Sequence, residues 1–269
     1  MWLKKNKDES SEGSQEKFTK KGLWYKLDTT NESAEGLAET LACSILAKSN
    51  ISNYVQYKPC HIIKRGITYT GCVSGDFLKP NLTLINSQRA LELLDSPLAI
   101  RTSYDLYSDT RDNIRLFIEE ISKLPGIKNY ASQLAKILRF DAIICNEDRT
   151  LYNIAFIRKI REKPPLYYPS PLFDHGKSFM LSSSGWSERR SVESMYNLSI
   201  ARPFSIDFNE QARIAEELSD NQRFTTSFSE EDLRGVLNLA SGIYSDEILA
   251  RAEKSVLFLM QKFNCYFDS

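Results

Sequence analysis

Short runs of alternating apolar and polar residues dominate the first third of the chain. They predict strands at Leu23–Leu27, Val55–Tyr57, His61–Lys64 and Ile67–Thr70. The pair Arg65 and Gly66 between the last two runs predicts a turn. Residues 1–22 are rich in Ser, Glu, Lys and Gly, and this composition predicts an extended or flexible lead.

Apolar residues recur at helical spacing only once in this first third. Leu37, Leu41 and Ile45 form one stripe, and Asn31 or Ser33 is a candidate N-cap for the helix that carries it. We expect this helix to end near residue 48. The first third therefore predicts a small sheet with a single helix.

After about residue 80 the apolar pattern changes to longer helical periods. Helices are predicted at residues 111–123, 130–145, 210–218, 230–240 and 246–263. Two short strands are predicted among them, at Asn153–Arg158 and from Leu166 to Phe173. We therefore predict an α+β chain of two lobes, with a small β-rich lobe at residues 1–75 and a larger helical lobe at residues 76–269.

Composition and charge exclude several classes of protein. Lys plus Arg and Asp plus Glu number 35 each, so the chain lacks the excess positive charge of a nucleic-acid-binding surface. The longest apolar run, residues 255–260, is too short to span a bilayer, and the polar N-terminus does not resemble a secretory signal. Five cysteines without a C-x-x-C pair favour reduced thiols. We expect a cytoplasmic protein with no membrane or direct nucleic-acid partner.

Two carboxylates and one carboxamide follow predicted apolar elements in the second lobe. Asp148 and Asn153 lie five residues apart in the loop after the helix at 130–145, and Asp174 ends the next apolar run. Each segment alone is also typical of an ordinary turn. Together they suit phosphoryl transfer, which needs one group to orient a hydroxyl and hard oxygen ligands to hold Mg²⁺.

A lysine in the first predicted strand is a candidate partner for this site. Lys26 lies among aromatic and apolar residues, where an amine needs a partner if it is buried. Glu39 follows on the predicted helix, and Glu35 is a rival one turn earlier that would also suit the helix dipole. The alternative is an ordinary solvent-facing lysine on an edge strand.

These segments, taken in order, resemble the HipA-like kinases of bacteria. Five segments carry the resemblance: Gly13-Ser-Gln-Glu-Lys17 to the phosphate-covering loop, Trp24-Tyr-Lys26 to the nucleotide-lysine strand, Ala38-Glu-Thr-Leu-Ala-Cys43 to the helix with the partner glutamate, Asn146-Glu-Asp-Arg-Thr-Leu-Tyr-Asn153 to the catalytic loop, and Pro171-Leu-Phe-Asp-His-Gly176 to the metal-binding segment. The resemblance covers about residues 10–180 and matches the kinase core without the extra N-terminal subdomain of longer members. It implies a two-lobed protein-kinase-like fold.

The resemblance also implies a role for each matching position. Asp148 corresponds to the catalytic base, Asn153 and Asp174 to Mg²⁺ ligands, and Lys26 to the ATP-phosphate contact held by Glu39, which the resemblance favours over Glu35. Gly13 and Ser14 correspond to the loop that covers the phosphates, and residues Ser74, Asp76 and Phe77 to the lobe junction that contacts adenine. The implied cofactors are ATP and Mg²⁺.

Two departures and one regulatory feature accompany the match. Thr150 stands where many members have His, and the phosphate loop has only one glycine, Gly13. Some members inactivate themselves by phosphorylating a serine in this loop, which makes Ser10, Ser11 and Ser14 candidates for autophosphorylation. Added phosphate would bring about −1.5 to −2 charge into the loop. A flexible, solvated linker is the alternative interpretation of these serines.

We therefore expect a serine/threonine protein kinase, and the alternatives are testable. One is a nucleotide-binding pseudokinase that acts through a protein partner, one is a small-molecule phosphotransferase, and one is an interaction protein without nucleotide. By analogy with the family, the protein substrate would be a translation component, and the chain would be the toxin of a toxin–antitoxin pair with a small helix-turn-helix antitoxin as partner.

Overall fold

The computed structural model describes residues 15–30, 32–182 and 190–267, and it begins with a small antiparallel sheet. Its strands are β1 (Lys17–Lys20), β2 (Leu23–Leu27), β3 (Tyr57–Lys64) and β4 (Ile67–Gly75), in the spatial order β1-β2-β4-β3. Strands β2 and β4 match the predicted runs, and the runs at 55–57 and 61–64 merge into β3. Of the predicted extended or flexible lead, Lys17–Lys20 is extended, because these residues pair with β2 as a strand.

Two tight turns set the register of this sheet. Lys21 and Gly22 join β1 to β2, and Arg65 and Gly66 join β3 to β4, as the sequence predicts for the second turn. All four residues have positive φ values, between 52° and 80°. This conformation gives a two-residue hairpin whose twist matches that of the strands. The hairpin between β1 and β2 places Lys17 opposite Lys26.

Helix α1 (Glu35–Ala47) lies between the sheet and the rest of the molecule and is buried over most of its length. Its N-cap is Ala34, so the predicted cap at Ser33 is wrong, and Asn31 lies outside the described residues. The Ser33 hydroxyl instead bonds within its own turn, to Thr30. The Asp28 carboxylate, which follows β2, accepts the free N–H of Gly36 at 2.7 Å.

The larger lobe combines a three-stranded sheet with helices. Strands β5 (Leu82–Asn86), β6 (Ala155–Lys159) and β7 (Leu166–Pro169) pair antiparallel in that order. The helices are α2 (Ser87–Leu93), α3 (Ser103–Ser108), α4 (Thr110–Ser122), α5 (Tyr130–Ile144), α6 (Val192–Leu198), α7 (Phe208–Glu217), α8 (Glu230–Ala240) and α9 (Asp246–Lys262), with short 3-10 helices at Pro97–Ile100 and Asn264–Tyr266. The five predicted helices are confirmed as α4, α5, α7, α8 and α9.

The main hydrophobic core connects the two lobes. It contains apolar residues of α1 together with those of α4, α5, α7, α8 and α9. Helix α5 is buried on most sides, as its sequence predicts. The small antiparallel sheet and the larger helical part confirm the α+β prediction, while the boundary at residues 75 and 76 stays a prediction. Among the described residues, no helix has both the length and the apolar character needed to cross a bilayer.

The cysteines are unpaired where the structure describes them. Cys43, Cys72 and Cys145 are buried, Cys60 is partly buried and Cys265 is exposed. Burial raises the pKa of the Cys43 thiol to about 11, which makes its thiolate scarce at neutral pH. The buried cysteines therefore behave as small apolar residues.

Candidate functional site

A cleft of about 340 Å³ lies between the two lobes. The smaller lobe contributes side chains from β1, β2 and β3, and the larger lobe contributes Leu84, Phe173 and Asp174. The segment that joins the lobes, residues 74–83, forms the remaining wall. Apolar walls with a few charged groups at one end are typical of small-molecule sites.

The three residues that the sequence assigns to the lobe junction all line this cleft. Ser74 still belongs to β4 and is paired with β2 on one side and β3 on the other. Asp76 and Phe77 follow the end of the strand, and the Phe77 ring stacks on Phe173 at a centroid distance of 6.1 Å. The contact with adenine stays a prediction for all three.

The amine of Lys26 joins the two lobes at the charged end of the cleft. It forms an ion pair with Glu39 of α1 and donates to Asp174 Oδ1 at 2.8 Å. Burial alone would lower the pKa of Lys26, but the carboxylates of Asp174 and Glu39 outweigh burial and hold that pKa well above its ordinary value. Lys26 therefore keeps its charge although it is only 9% exposed.

The structure distinguishes the two glutamates that the sequence left as rivals. Glu39 is fully buried, contacts Lys26, and accepts the backbone N–H of His175 at 2.9 Å. Glu35 instead accepts the N–H of Thr29 at 3.2 Å and lies 3.7 Å from Lys177 Nζ. Glu39 thus positions both the lysine and the backbone that follows Asp174.

Asp148 and Asn153 lie together in the loop after α5. The Asn153 amide nitrogen donates to the Asp148 carbonyl oxygen at 2.7 Å and to its carboxylate at 3.3 Å. Burial raises the pKa of Asp148, and the nearby negative charge of Asp174 raises it further. A carboxylate of raised pKa is a better proton acceptor than an ordinary aspartate.

The pKa of Asp174 is shifted in the opposite direction from that of Asp148. Burial would raise its pKa, but Lys26 and Lys17 hold it well below the usual range of an aspartate, so this carboxylate stays ionised. Its backbone adopts the left-handed conformation, with φ of 64°. Non-glycine residues rarely adopt it, and such residues concentrate at functional sites.

Arg149 organises the loop; it lies inside the segment that resembles the catalytic loop, but the sequence analysis gave it no role. Its guanidinium is fully buried and binds both oxygens of Asp141 in α5, at 2.8 Å and 3.1 Å. It also donates to the carbonyl oxygens of Asn153 and Phe173, at 2.7 Å and 3.0 Å. Arg149 therefore fixes Asn153 relative to the residue that precedes Asp174. Asp141, a carboxylate in the apolar C-terminal half of the predicted helix, was the available signal.

Lys17 is a second cleft residue that the sequence analysis did not assign to the site. It starts β1 opposite Lys26, and its side chain lines the cleft. Burial lowers its pKa, while the charge of Asp174 raises it. The signal was present in the sequence, since Lys17 ends the segment that resembles a phosphate-covering loop. The predicted residues Gly13, Ser14, Ser10 and Ser11 lie outside the described residues.

The donors at this end of the cleft suit Mg²⁺. The carboxylate of Asp174 and the amide oxygen of Asn153 are hard ligands of the kind that Mg²⁺ takes with water and phosphate oxygens. The amide nitrogen of Asn153 is used by Asp148, which leaves the amide oxygen as its ligating atom. The part of the chain that the structure describes contains no group of three or more His, Cys, Asp or Glu residues suited to a metal.

Comparison with solved structures defines the class of fold. The chain is similar to the crystal structure of a Helicobacter pylori proinflammatory kinase, CtkA, with a TM-score of 0.60 and 13% sequence identity. The match covers 93% of this chain and 88% of the other. The chain therefore has a two-lobed, protein-kinase-like fold, as predicted. No family model and no curated protein matches the sequence.

Proposed function

We propose that this protein is an ATP-dependent kinase of the HipA-like type that phosphorylates serine or threonine residues of another protein. One observation carries the proposal. In a cleft between the two lobes, Lys26 pairs with Glu39 and donates to Asp174, and Asp148, which Asn153 contacts, is close enough to Asp174 to feel its charge. The similarity to a solved kinase supports the fold that this reaction requires.

Each group has a distinct task in this proposal. The Lys26 amine binds ATP phosphate oxygens, and Glu39 holds that amine in place. Asn153 and Asp174 would hold Mg²⁺, which neutralises phosphate charge when it is bound. Lys26 donates a hydrogen bond to Asp174. When a nucleotide binds, the lysine amine would therefore be shared between this carboxylate and the phosphate oxygens of ATP.

Asp148 is the group that receives the substrate hydroxyl. Its raised pKa makes it a suitable acceptor for the hydroxyl proton, and Asn153 orients the carboxylate. The attacking oxygen would then form its bond to the γ-phosphorus as the bond to ADP breaks. Phe77 and Phe173 offer apolar ring faces on which the adenine would lie.

Labelled phosphate transfer from Mg²⁺-ATP to protein tests the proposal. We expect incorporation into protein serine or threonine, and a loss of at least about a hundredfold in Asp148→Asn, since removing one transition-state group commonly costs that much. Asp95→Asn is the matched control, because Asp95 is exposed and has a φ of 50° that asparagine tolerates. Equal incorporation by wild type and Asp148→Asn would refute the catalytic assignment.

The biological setting of the kinase is proposed from the sequence resemblance. A translation component would be the substrate, a small helix-turn-helix protein the antitoxin partner, and the cytoplasm the location. Autophosphorylation at Ser10, Ser11 or Ser14 would silence the enzyme. Peptide mass spectrometry after incubation with ATP tests this last point, and an active enzyme without phosphate on these serines would contradict it.

The contact between Lys26 and Asp174 also favours a second candidate function. A carboxylate engaged by lysine is less available to a metal, which suits a nucleotide-binding protein that transfers no phosphate. That candidate predicts nucleotide binding without incorporation of label in wild type. A phosphorylated protein product would exclude it.

A further inference from the structure

A second groove, of about 410 Å³, adjoins the catalytic loop on the larger lobe. Its walls come from α2, the 3-10 helix at Pro97–Ile100 and the residues after it, α3, residues 150–152 of the catalytic loop, and Arg202 with Pro203. The Thr150 N–H donates to the Asp148 carbonyl oxygen at 2.8 Å, so the groove begins one tight turn from the catalytic carboxylate. A substrate segment that presents a hydroxyl to Asp148 can therefore extend into this groove.

The groove is positively charged. Its described lining residues include Arg101 and Arg202 and no aspartate or glutamate. Both arginines are exposed, and carboxylates that interact with them, Asp105 for Arg101 and Glu147 for Arg202, lie outside the groove lining.

Arg101 is held in place before any ligand arrives. One of its guanidinium nitrogens donates to the side chain of Asn113, which is fully buried. The Asn113 amide is itself fixed, since it donates to the carbonyl oxygens of Asp105 and Leu106 at 3.0 Å and 2.9 Å. An anchored arginine loses less conformational entropy when it binds an anion than a free one does.

Apolar side chains flank the charged groups. Ile100 is 88% exposed and Tyr152 is 44% exposed, and both belong to the groove. Exposed apolar residues beside anchored arginines are typical of surfaces that bind a peptide, because they cover its backbone while the charges select its side chains.

We propose that this groove selects protein substrates that carry an acidic residue a few positions from the phosphorylated serine or threonine. Arg101 and Arg202 bind that carboxylate, and Ile100 and Tyr152 contact the neighbouring backbone. The inference rests on the proposed kinase function and deepens it by naming the charge of the substrate segment.

Peptides that differ in one flanking residue provide the test. Serine peptides carrying Glu, Gln, Lys or phosphoserine at each flanking position are compared in kcat/KM with Mg²⁺-ATP. We expect Glu to be preferred over Gln by about tenfold at one or more positions, a size typical of a charge-assisted hydrogen bond. Preference for phosphoserine over Glu would assign the groove to phosphorylated substrates and overturn the carboxylate assignment.

Arginine variants connect any preference to the groove. Arg101→Gln combined with Arg202→Gln should reduce the preference for the Glu peptide over the Gln peptide to less than about twofold. The matched control is Arg234→Gln, an exposed arginine of α8 that lies 3.7 Å from Glu230. In Arg202→Glu, the Lys peptide should become better than the Glu peptide, and such a reversal cannot come from misfolding.

Peptide binding separates failure of this inference from failure of the proposed function. Fluorescence anisotropy with a labelled Glu peptide measures binding whether or not phosphate is transferred. Binding that weakens with salt and with both arginine substitutions supports the groove even in a chain that transfers nothing. Transfer without any charge preference, or a preference that survives both substitutions, overturns the inference and leaves the kinase proposal intact.

Discussion

Arg149 and Asp141 form an ion pair with no solvent exposure on either side chain. Arg149→Met should destabilise the protein by about 3–5 kcal/mol, because it leaves a buried carboxylate without its partner. The double variant with Asp141→Leu should recover part of this loss, since it removes both buried charges. Urea denaturation measures both values.

The matched control for this prediction is an exposed pair. Arg115 and Asp112 form a solvent-facing ion pair at 2.9 Å, so Arg115→Met should cost less than about 1 kcal/mol. If Arg149→Met were as mild as Arg115→Met, the buried guanidinium would not be the group that holds the catalytic loop together.

At the scale of elements, α1 and β4 touch through two glycines. A Cβ atom at Gly36 would lie 2.5 Å from the Gly71 carbonyl carbon, and one at Gly71 would lie 2.1 Å from the Lys26 carbonyl oxygen. Gly71→Ala must therefore push β2 away from β4 and displace Lys26. We expect a loss of about 2 kcal/mol or more in unfolding free energy and a higher KM for ATP.

Gly235 supplies the control for this prediction. It lies inside α8, and a Cβ there would meet nothing within 4 Å. Gly235→Ala should stabilise the protein by about 0.5–1 kcal/mol without changing KM, because alanine favours the helix. A Gly71→Ala enzyme with an unchanged KM would show that β2 tolerates the displacement.

A buried carboxylate that titrates, Asp28, contacts the start of α1. Burial raises the pKa of Asp28 to about 6, above the value of about 3.9 in an unfolded chain. An aspartate with a raised pKa contributes stability while it is protonated, and this contribution is lost as the pH rises from about 4 through about 6. Asp28→Asn keeps an acceptor for the Gly36 N–H and removes the buried charge.

We therefore expect Asp28→Asn to gain stability over wild type as the pH rises. The gain should grow by about 2 kcal/mol between about pH 4.5 and about pH 7.5. Urea denaturation of both proteins at the two pH values measures this difference directly. A difference that does not change with pH would mean that Asp28 titrates normally in the folded protein.

Elements were predictable from sequence where their pattern is local. Two helices begin and end in the structure within two or three residues of their predicted limits. They are α1, which carries the stripe of Leu37, Leu41 and Ile45, and the largely buried helix α5. Strand β1 was missed because three of the four residues of Lys17–Lys20 are polar, so the segment becomes a strand only through its pairing with β2. Strand β5 likewise depends on β6, which lies some seventy residues later in the chain.

The site was predictable only in its separate parts. Spacing identified Asp148, Asn153 and Asp174, and an out-of-place amine identified Lys26, because these features are visible along one stretch of chain. The choice of Glu39 over Glu35 came from family resemblance, and the structure now gives it a contact. Arg149 escaped notice because its partners, Asp141 and the Phe173 carbonyl oxygen, meet only in the folded molecule.

At the scale of the whole molecule, both lobes should contribute to nucleotide binding. Mg²⁺-ATP at a hundred times its Kd would stabilise the fold by about 2.7 kcal/mol, which corresponds to a rise in Tm of about 5–10 °C for a chain of this size. Lys26→Met in one lobe and Asp174→Asn in the other should each reduce this shift.

The control for the thermal shift is Lys58→Met. Lys58 is exposed on β3 and lies outside the cleft lining, so this variant should show the wild-type shift. A full shift in both Lys26→Met and Asp174→Asn would mean that the nucleotide binds away from the charged end of the cleft.

Helix α1 is enclosed on every side, with the sheet against Gly36 and the helical lobe along its apolar stripe. Its two ends are also tied to the larger lobe, since the Ala34 N–H donates to Leu181 and the Thr226 hydroxyl donates to the Ile45 carbonyl oxygen. An outward swing of α1 would have to break both of these hydrogen bonds. We therefore expect α1 to keep its position when a ligand enters the cleft.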